Sequence, residues 1–308
     1  MDTKSFSVSE KEEWHTHDGI TFYTRLYEVS PKPRATVTLV HGLGEHCDRY
    51  EEMGRYFGAR GIQLFTFDQR GFGKTGYRSP PLGHTDGFDK VLKDVDYFVQ
   101  KARYSDLSVP HFLFGHSMGG MIVLNYGAVY GSKSELAGII ASAPCIATGK
   151  DYALGGFLSK VVGILGSIPL IKTLPVRPNI KAKDLSFNEQ SNLDYVGSMY
   201  NLDYASINCV SDLDYYGKIL LTERHKNFLI PVLLAHGDAD RITSCEATTQ
   251  FYELLEADKT LKIWPGLAHE AHFEDCKLEV LEYYTQWLEQ KIQKDENWPS
   301  LAKASQVE

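Results

Sequence analysis

One short run carries the residues best suited to covalent chemistry. Gly115-His116-Ser117-Met118-Gly119 sets a serine between two glycines. A serine hydroxyl is a weak nucleophile until a base takes its proton, and that base is usually a histidine oriented by a buried acid. Two histidines and two aspartates downstream qualify. His269 follows the Pro265-Gly266 turn, with His272 three residues on; Asp238 and Asp240 lie in Gly237-Asp238-Ala239-Asp240-Arg241. We take His269 as the base, with His272 as its competitor. Asp240 is taken as the acid, because a carboxylate two or three residues past a strand end reaches a histidine on the next loop. Asp238 reads as a turn-forming aspartate bonded to its own backbone. The oxyanion of an acyl-transfer intermediate needs N–H donors. The Met118 amide, next after the nucleophile, is one. The Leu43 amide is the other, with Gly42 and Gly44 allowing the backbone to approach closely. Glu45, His46 and Arg49 lie just behind that loop and read as residues that pin it rather than line a polar pocket.

These groups work only if a rigid frame brings them together. Phe112–Phe114, opened by Pro110, reads as a buried strand, and Met121–Tyr126 as the start of a buried helix. A serine on the tight turn between them is projected outward, over the positive end of the new helix. Further buried strands are expected at Ala35–Val40, Ile62–Phe67, Leu136–Ala143, Pro231–Ala235 and Thr260–Trp264. Helices are expected at Arg49–Gly58, Gly87–Ala102, Cys245–Ala257 and Phe273–Lys294. Trp14–His17 and Ile20–Glu28 flank Asp18-Gly19 as a β-hairpin. Asp68–Pro81 reads as a loop, Met1–Glu10 as frayed, and the tail after Asn297 as disordered. Alternating strands and helices imply an α/β fold with a mostly parallel central sheet covered on both faces. Ligands bind such sheets at the carboxyl ends of the strands. Leu43, Ser117, Asp240 and His269 all follow predicted strands, so they converge on one edge.

The alternation breaks between about 145 and 227, which reads as an insertion in a single domain spanning 1–308. There Leu154, Phe157, Leu158, Val161, Val162, Leu165 and Ile168 fall on one helical face. Pro169, Pro175 and Pro178 follow, then a segment rich in Tyr, Asn, Asp and Ser.

Composition narrows the function. The chain has 308 residues and a net charge of −8, which argues against nucleic acid and against electrostatic anchoring to anionic membranes. Five scattered cysteines without a C-x-x-C pair suggest neither zinc nor disulfides, and a reducing, cytoplasmic setting. No signal peptide or lipidation motif is visible. Gly71-Phe72-Gly73-Lys74-Thr75-Gly76 matches G-x-G-x-x-G, but Pro80-Pro81 follows where a dinucleotide site needs a helix. The same run fails as a P-loop, because Asp68 stands where that motif needs glycine. His269-Glu270-Ala271-His272 is one residue short of the zincin motif. No cofactor and no metal is expected.

Taken together, His41-Gly42-Leu43-Gly44-Glu45-His46, Phe67–Gly73, Gly115–Gly120, Asp238–Arg241 and Pro265–His269 carry a resemblance. The chain resembles the monoacylglycerol lipase family of serine α/β-hydrolases. The resemblance implies an α/β-hydrolase fold with a helical cap at the 145–227 insertion, catalytic Ser117, Asp240 and His269, and oxyanion amides at Leu43 and Met118. It implies hydrolysis of monoacylglycerol to glycerol and fatty acid through an acyl-enzyme, and makes Phe67–Gly73 a structural loop. Leu43 stands where relatives commonly carry a smaller residue, which bears on the acyl pocket and not on the mechanism. The apolar face Leu154–Ile168 either packs on the core or walls an acyl tunnel that touches a membrane or lipid droplet. Lys160 and several glycines argue against a transmembrane span. Two rival readings stand. One is a broader carboxylesterase or lysophospholipase, for which Asp194–Tyr216 offers aromatic and acidic partners to a phosphocholine head. The other is a non-catalytic ligand-binding homologue on the same fold, against which the complete set of three residues weighs.

Overall fold

The computed structural model describes residues 5–103, 108–153 and 156–294. Its strands are β1 (Ser7–His17), β2 (Ile20–Ser30), β3 (Ala35–Val40), β4 (Ile62–Phe67), β5 (His111–His116), β6 (Gly138–Ser142), β7 (Pro175–Val176), β8 (Ala205–Ser206), β9 (Val232–Gly237) and β10 (Lys259–Trp264). Eight of them form one sheet in the order β1-β2-β4-β3-β5-β6-β9-β10, and β7 pairs with β8 alone. The β1–β2 and β2–β4 pairs are antiparallel, and the rest of the large sheet is parallel. β3, β4, β5, β6 and β9 are buried at every position. Strands covered on both faces need such runs rather than alternation.

The helices are α1 (Glu51–Gly58), α2 (Gly73–Arg78), α3 (Phe88–Ala102), α4 (Met118–Ser134), α5 (Gly156–Ser167), α6 (Glu189–Gly197), α7 (Ile207–Thr222), α8 (Cys245–Leu254) and α9 (Lys277–Lys294). Successive β5 side chains point to opposite faces. Leu113 therefore joins a core with Val95 and Phe98 of α3 and Leu124 of α4. Phe112 and Phe114 join a second core with Phe57 of α1 and Val280 and Tyr284 of α9. The doubly covered α/β sheet expected from the sequence is present.

Several boundaries differ from expectation. Ser7–Glu10, expected to fray, pair with Tyr27–Ser30; β1 is an edge strand with mostly exposed side chains, so it lacks an apolar signal. Met1–Lys4 and the tail after Asn297 lie outside the described residues, as does Leu154. The expected loop 68–81 contains α2. The last helix is divided into a 3₁₀ turn at Ala271–Phe273 and α9. α7 occupies a stretch where no helix was expected. Asn208, Asp212 and Asp214 interrupt its apolar pattern.

The segment between β6 and β9 holds α5, α6 and α7. It lies over the loops at the carboxyl ends of the strands. Leu202 N donates to Gly44 O at 2.7 Å, Ser206 N to Gly83 O at 2.8 Å, and Glu270 N to Leu185 O at 2.8 Å. α5 packs on α7 so closely that a Cβ at Gly166 would lie 2.8 Å from Ser211 Cβ.

A Cβ at Gly119 would meet the backbone carbonyl oxygens of Val40 and His41, groups that cannot move without shifting β3. Gly119→Ala should lower unfolding free energy by about 1–3 kcal/mol in urea denaturation. Gly163→Ala, on the open side of α5 with nothing within 4 Å, should instead raise it by up to about 1 kcal/mol.

Candidate active site

Ser117 sits at the turn from β5 into α4 with φ 55° and ψ −116°, a conformation that a non-glycine residue holds only when its surroundings impose it. Three backbone bonds impose it here. Ser117 N donates to Ser142 O at 3.0 Å, and Ser117 O accepts from Met121 N at 3.0 Å and Cys145 N at 2.9 Å. A Cβ at Gly115 would meet the Gly119 carbonyl, so neither flanking glycine tolerates a side chain.

The loop after β3 runs beside this turn. The Cβ position of Gly42 lies 3.2 Å from Ser117 Cβ. Buried His41 anchors the loop, accepting from Gln69 N at 2.9 Å through Nε2, while Gln69 Nε2 donates to His41 O at 2.6 Å. Among the described residues, neither the Leu43 nor the Met118 backbone N–H donates to any group of the chain.

His269 and Asp240 meet. Nδ1 of His269 donates to Oδ2 of Asp240 at 2.7 Å, and the Asp240 side chain is fully buried. Four further donors hold that carboxylate: Thr243 Oγ1 at 2.7 Å, His236 Nε2 at 3.0 Å, Ile242 N at 2.7 Å and Thr243 N at 3.0 Å. His236 is set by Thr248 Oγ1, 2.8 Å from its Nδ1. Burial pushes the Asp240 carboxyl up, but His269 and His236 outweigh it and hold it well below the usual range. Burial likewise pushes His269 down, and Asp240 more than offsets it, leaving the imidazole above its ordinary value. Reasoning from sequence missed His236 and Thr243. A threonine three residues past a turn aspartate is the local signal for the second; His236 reads only as one more buried strand position.

His272 takes no part in this pairing. Its ring stacks 5.5 Å from Tyr50 and meets His116 edge-on at 4.7 Å, with neither nitrogen bonded. Burial and the neighbouring His116 drive it well below the ordinary histidine range. Asp238 is exposed and accepts from Gly266 N at 2.6 Å. It pins the turn before His269 rather than its own backbone, a correction to the sequence reading.

Arg49 ties the two loops. Its guanidinium reaches Glu45 at 2.5 Å and forks onto Glu270 at 2.7 and 2.8 Å. Glu45 also accepts from Gly42 N at 2.5 Å and Tyr50 Oη at 2.8 Å. Burial pushes Glu45 up, but Arg49 and these donors pull it down to about 2. His46 bonds Ser198 Oγ at 2.9 Å, next to α6. These residues pin the loop as expected. Glu45 and Arg49 also line a small cavity of about 30 Å³ with Ser117, Tyr195 and His269 on one side and Leu43, Ile180, Leu185 and Ile242 on the other, a lining role that the sequence reading set aside. Ser117 and Leu43 border a second, apolar cavity of about 490 Å³, walled by Met118, Ile146, Leu213 and Ile180. Ser117 and His269 share the smaller cavity without a direct hydrogen bond between them. The Gly71–Gly76 run is structural: Asp68 accepts from Cys47 N at 2.8 Å and Lys74 N at 2.6 Å.

A family model described as serine aminopeptidase, S33, matches residues 31–276. With this sheet, that match defines a serine hydrolase of the α/β-hydrolase class. The chain is 34% identical over 266 residues to a putative monoglyceride lipase of Schizosaccharomyces pombe, covering 85% of this chain and 68% of that one. A soluble variant of Saccharomyces cerevisiae monoglyceride lipase, solved in complex with a substrate analogue, superposes with a TM-score of 0.82 at 27% identity, covering 94% of this chain and 97% of that one. An uncharacterised abhydrolase domain-containing protein of Dictyostelium discoideum is 32% identical over 291 residues; the match covers 92% of this chain but 29% of that protein. The chain belongs to the monoglyceride lipase family.

Two outcomes follow from the site's electrostatics. A base must be neutral to accept a proton, and His269 is raised above 6.5. Ester hydrolysis should therefore increase with pH through a limb centred above 6.5. In Asp240→Asn that limb should move to lower pH and kcat should fall by roughly 10³–10⁴-fold, read from kcat/KM profiles on a short nitrophenyl ester. Arg49→Met leaves Glu45 and Glu270 buried without their cation. It should destabilise the fold by about 3–5 kcal/mol in urea denaturation.

Proposed function

We propose that the chain hydrolyses monoacylglycerols to glycerol and a free fatty acid. The observation that carries this reading is the meeting of two unlike cavities at Ser117. The smaller, of about 30 Å³, sets the polar groups of Glu45, Arg49 and Tyr195 beside Ser117, partners for a hydroxyl of a small neutral polyol. The larger apolar one suits a single acyl chain. The similarity to the monoglyceride lipases of Schizosaccharomyces pombe and Saccharomyces cerevisiae supports the same substrate class.

In the proposed mechanism His269 takes the Ser117 proton as Oγ attacks the ester carbonyl. The Leu43 and Met118 amides stabilise the oxyanion, and Asp240 holds His269 in the productive tautomer and offsets its charge. His269 then protonates the departing glycerol oxygen and activates water to release the fatty acid. Residues 145–227 act as the cap over the apolar cavity. Of the fifteen large exposed hydrophobic side chains among the described residues, eight lie between 164 and 199. This concentration suits peripheral contact with a membrane or lipid droplet. Among the described residues no helix is long and apolar enough to cross a membrane. We place the enzyme in the cytoplasm, acting at lipid surfaces.

The decisive experiment is a hydrolysis panel of monoacylglycerols, diacylglycerols, lysophospholipids and short esters. Monoacylglycerols should give the highest kcat/KM, and Ser117→Ala should abolish both turnover and labelling by a fluorophosphonate. Preference for lysophospholipid would replace the substrate assignment while keeping the site. Wild-type turnover by Ser117→Ala would remove the mechanism.

A further inference from the structure

The exposed apolar region of the cap is electrostatically split. Residues 152–183 contain five Lys and Arg and no Asp or Glu, in a chain of net charge −8. Residues 184–217 contain six Asp and Glu and no Lys or Arg. Each limb exposes large apolar side chains. On the cationic limb Leu170 is 89% exposed and Ile164 65%; on the acidic limb Val196 is 70% exposed and Leu193 64%. Lys160, Lys181 and Lys183 are exposed. Among the described residues neither they nor Lys172 forms an ion pair. Arg177 bonds Asp203 at 3.1 Å, joining the two limbs.

The cationic limb also borders the apolar cavity. Val176, Arg177 and Ile180 line that cavity. Lys181 and Lys183 line the adjoining groove, which shares Tyr152, Ala153 and Pro178 with it; Asp151 and Asp184 line the same groove and are paired there with Arg241, which leaves the two lysines as its unpaired charges among the described residues. We propose that this split orients the enzyme: the cationic limb, led by Leu170 and Leu174, docks on an anionic lipid surface, and the acidic limb is held away from it. The inference rests on the lipid-substrate reading for the use of the cavity. Its charge argument is independent of that reading. Basic side chains beside an inserted apolar edge gain from an anionic surface what a zwitterionic one cannot supply, and like charge repels the acidic limb. Docked this way, the enzyme presents the cavity's Val176–Ile180 border to the surface from which a single-chain lipid must enter.

The test is vesicle flotation of the full chain carrying Ser117→Ala. Vesicles are made of phosphatidylcholine alone or mixed with phosphatidylglycerol. Binding to the mixed vesicles should be at least roughly tenfold tighter, given about fivefold per cation at the surface. It should fall steeply from about 0.1 M to about 1 M salt, as the screening length drops from roughly 10 Å to roughly 3 Å. Lys160→Glu/Lys181→Glu/Lys183→Glu should lose that preference, while Glu189→Lys/Asp194→Lys should keep it. The rate of each variant on a short water-soluble ester, measured with Ser117 restored, checks that the fold is intact. Equal binding to both vesicle types overturns the proposal even if the triple variant fails to fold. So does a folded triple variant that floats as well as its parent. So does a salt-sensitive dimer formed by the unaltered chain without vesicle binding, which would assign the two limbs to each other in neighbouring copies. Anionic docking without monoacylglycerol turnover would leave this inference standing and remove the substrate assignment.

Discussion

A single guanidinium holds the site's two loops in register. Arg49 lies between Glu45, which grips the Gly42 amide beside Ser117, and Glu270, the residue after His269. Its side chain is 10% exposed and those of both carboxylates 3%. Desolvating three charges is expensive unless each is paired in good geometry. Here the fork onto Glu270, the Tyr50 hydroxyl and the Gly42 amide supply that geometry. Aromatic rings complete the enclosure, with Tyr195 at 4.9 Å and Phe273 at 4.6 Å from the guanidinium carbon. The loop bearing the Leu43 amide and the loop bearing His269 thus share one electrostatic anchor. The Tyr195 contact brings the segment between β6 and β9 into the same arrangement.

Much of this was legible in the sequence because it depends on local grammar. Strand-end positions of Leu43, Ser117, Asp240 and His269 are set by short apolar runs and the turns that follow them. The tight passage at Ser117 is written in its two glycines. What stayed hidden depends on contacts between distant residues. His236 looks like any interior strand residue until β9 is placed beside the Asp240 turn. Asp238 resembles an ordinary turn residue until Gly266 is brought within reach of it. The Ser7–Glu13 part of β1 escaped detection because an exposed edge strand carries charges where a buried one carries valines. α7 escaped because its Asn and Asp residues dilute the helical pattern, although Cys209, Ile219 and Leu220 are buried.

The contrast between His269 and His272 shows how environment separates like side chains. Both are buried within a few residues of each other. One faces a carboxylate held by five donors and is raised; the other faces Tyr50 and His116 and is lowered. Their difference lies in the partner within hydrogen-bond reach, since burial alone would lower both. His116 and His272, lacking bonded partners at His116 Nδ1 and both His272 nitrogens, form a wall beside His269 that carries no charge of its own.

The bond from Cys145 N to Ser117 O has a mechanical meaning. Cys145 stands at the root of the segment that covers the site, so that segment hangs from the peptide group of the very residue held at φ 55°. The link runs from main chain to main chain, through one hydrogen bond and with no intervening side chain. The turn at Ser117 and the start of the covering segment thus share one peptide group, and neither can be described without the other.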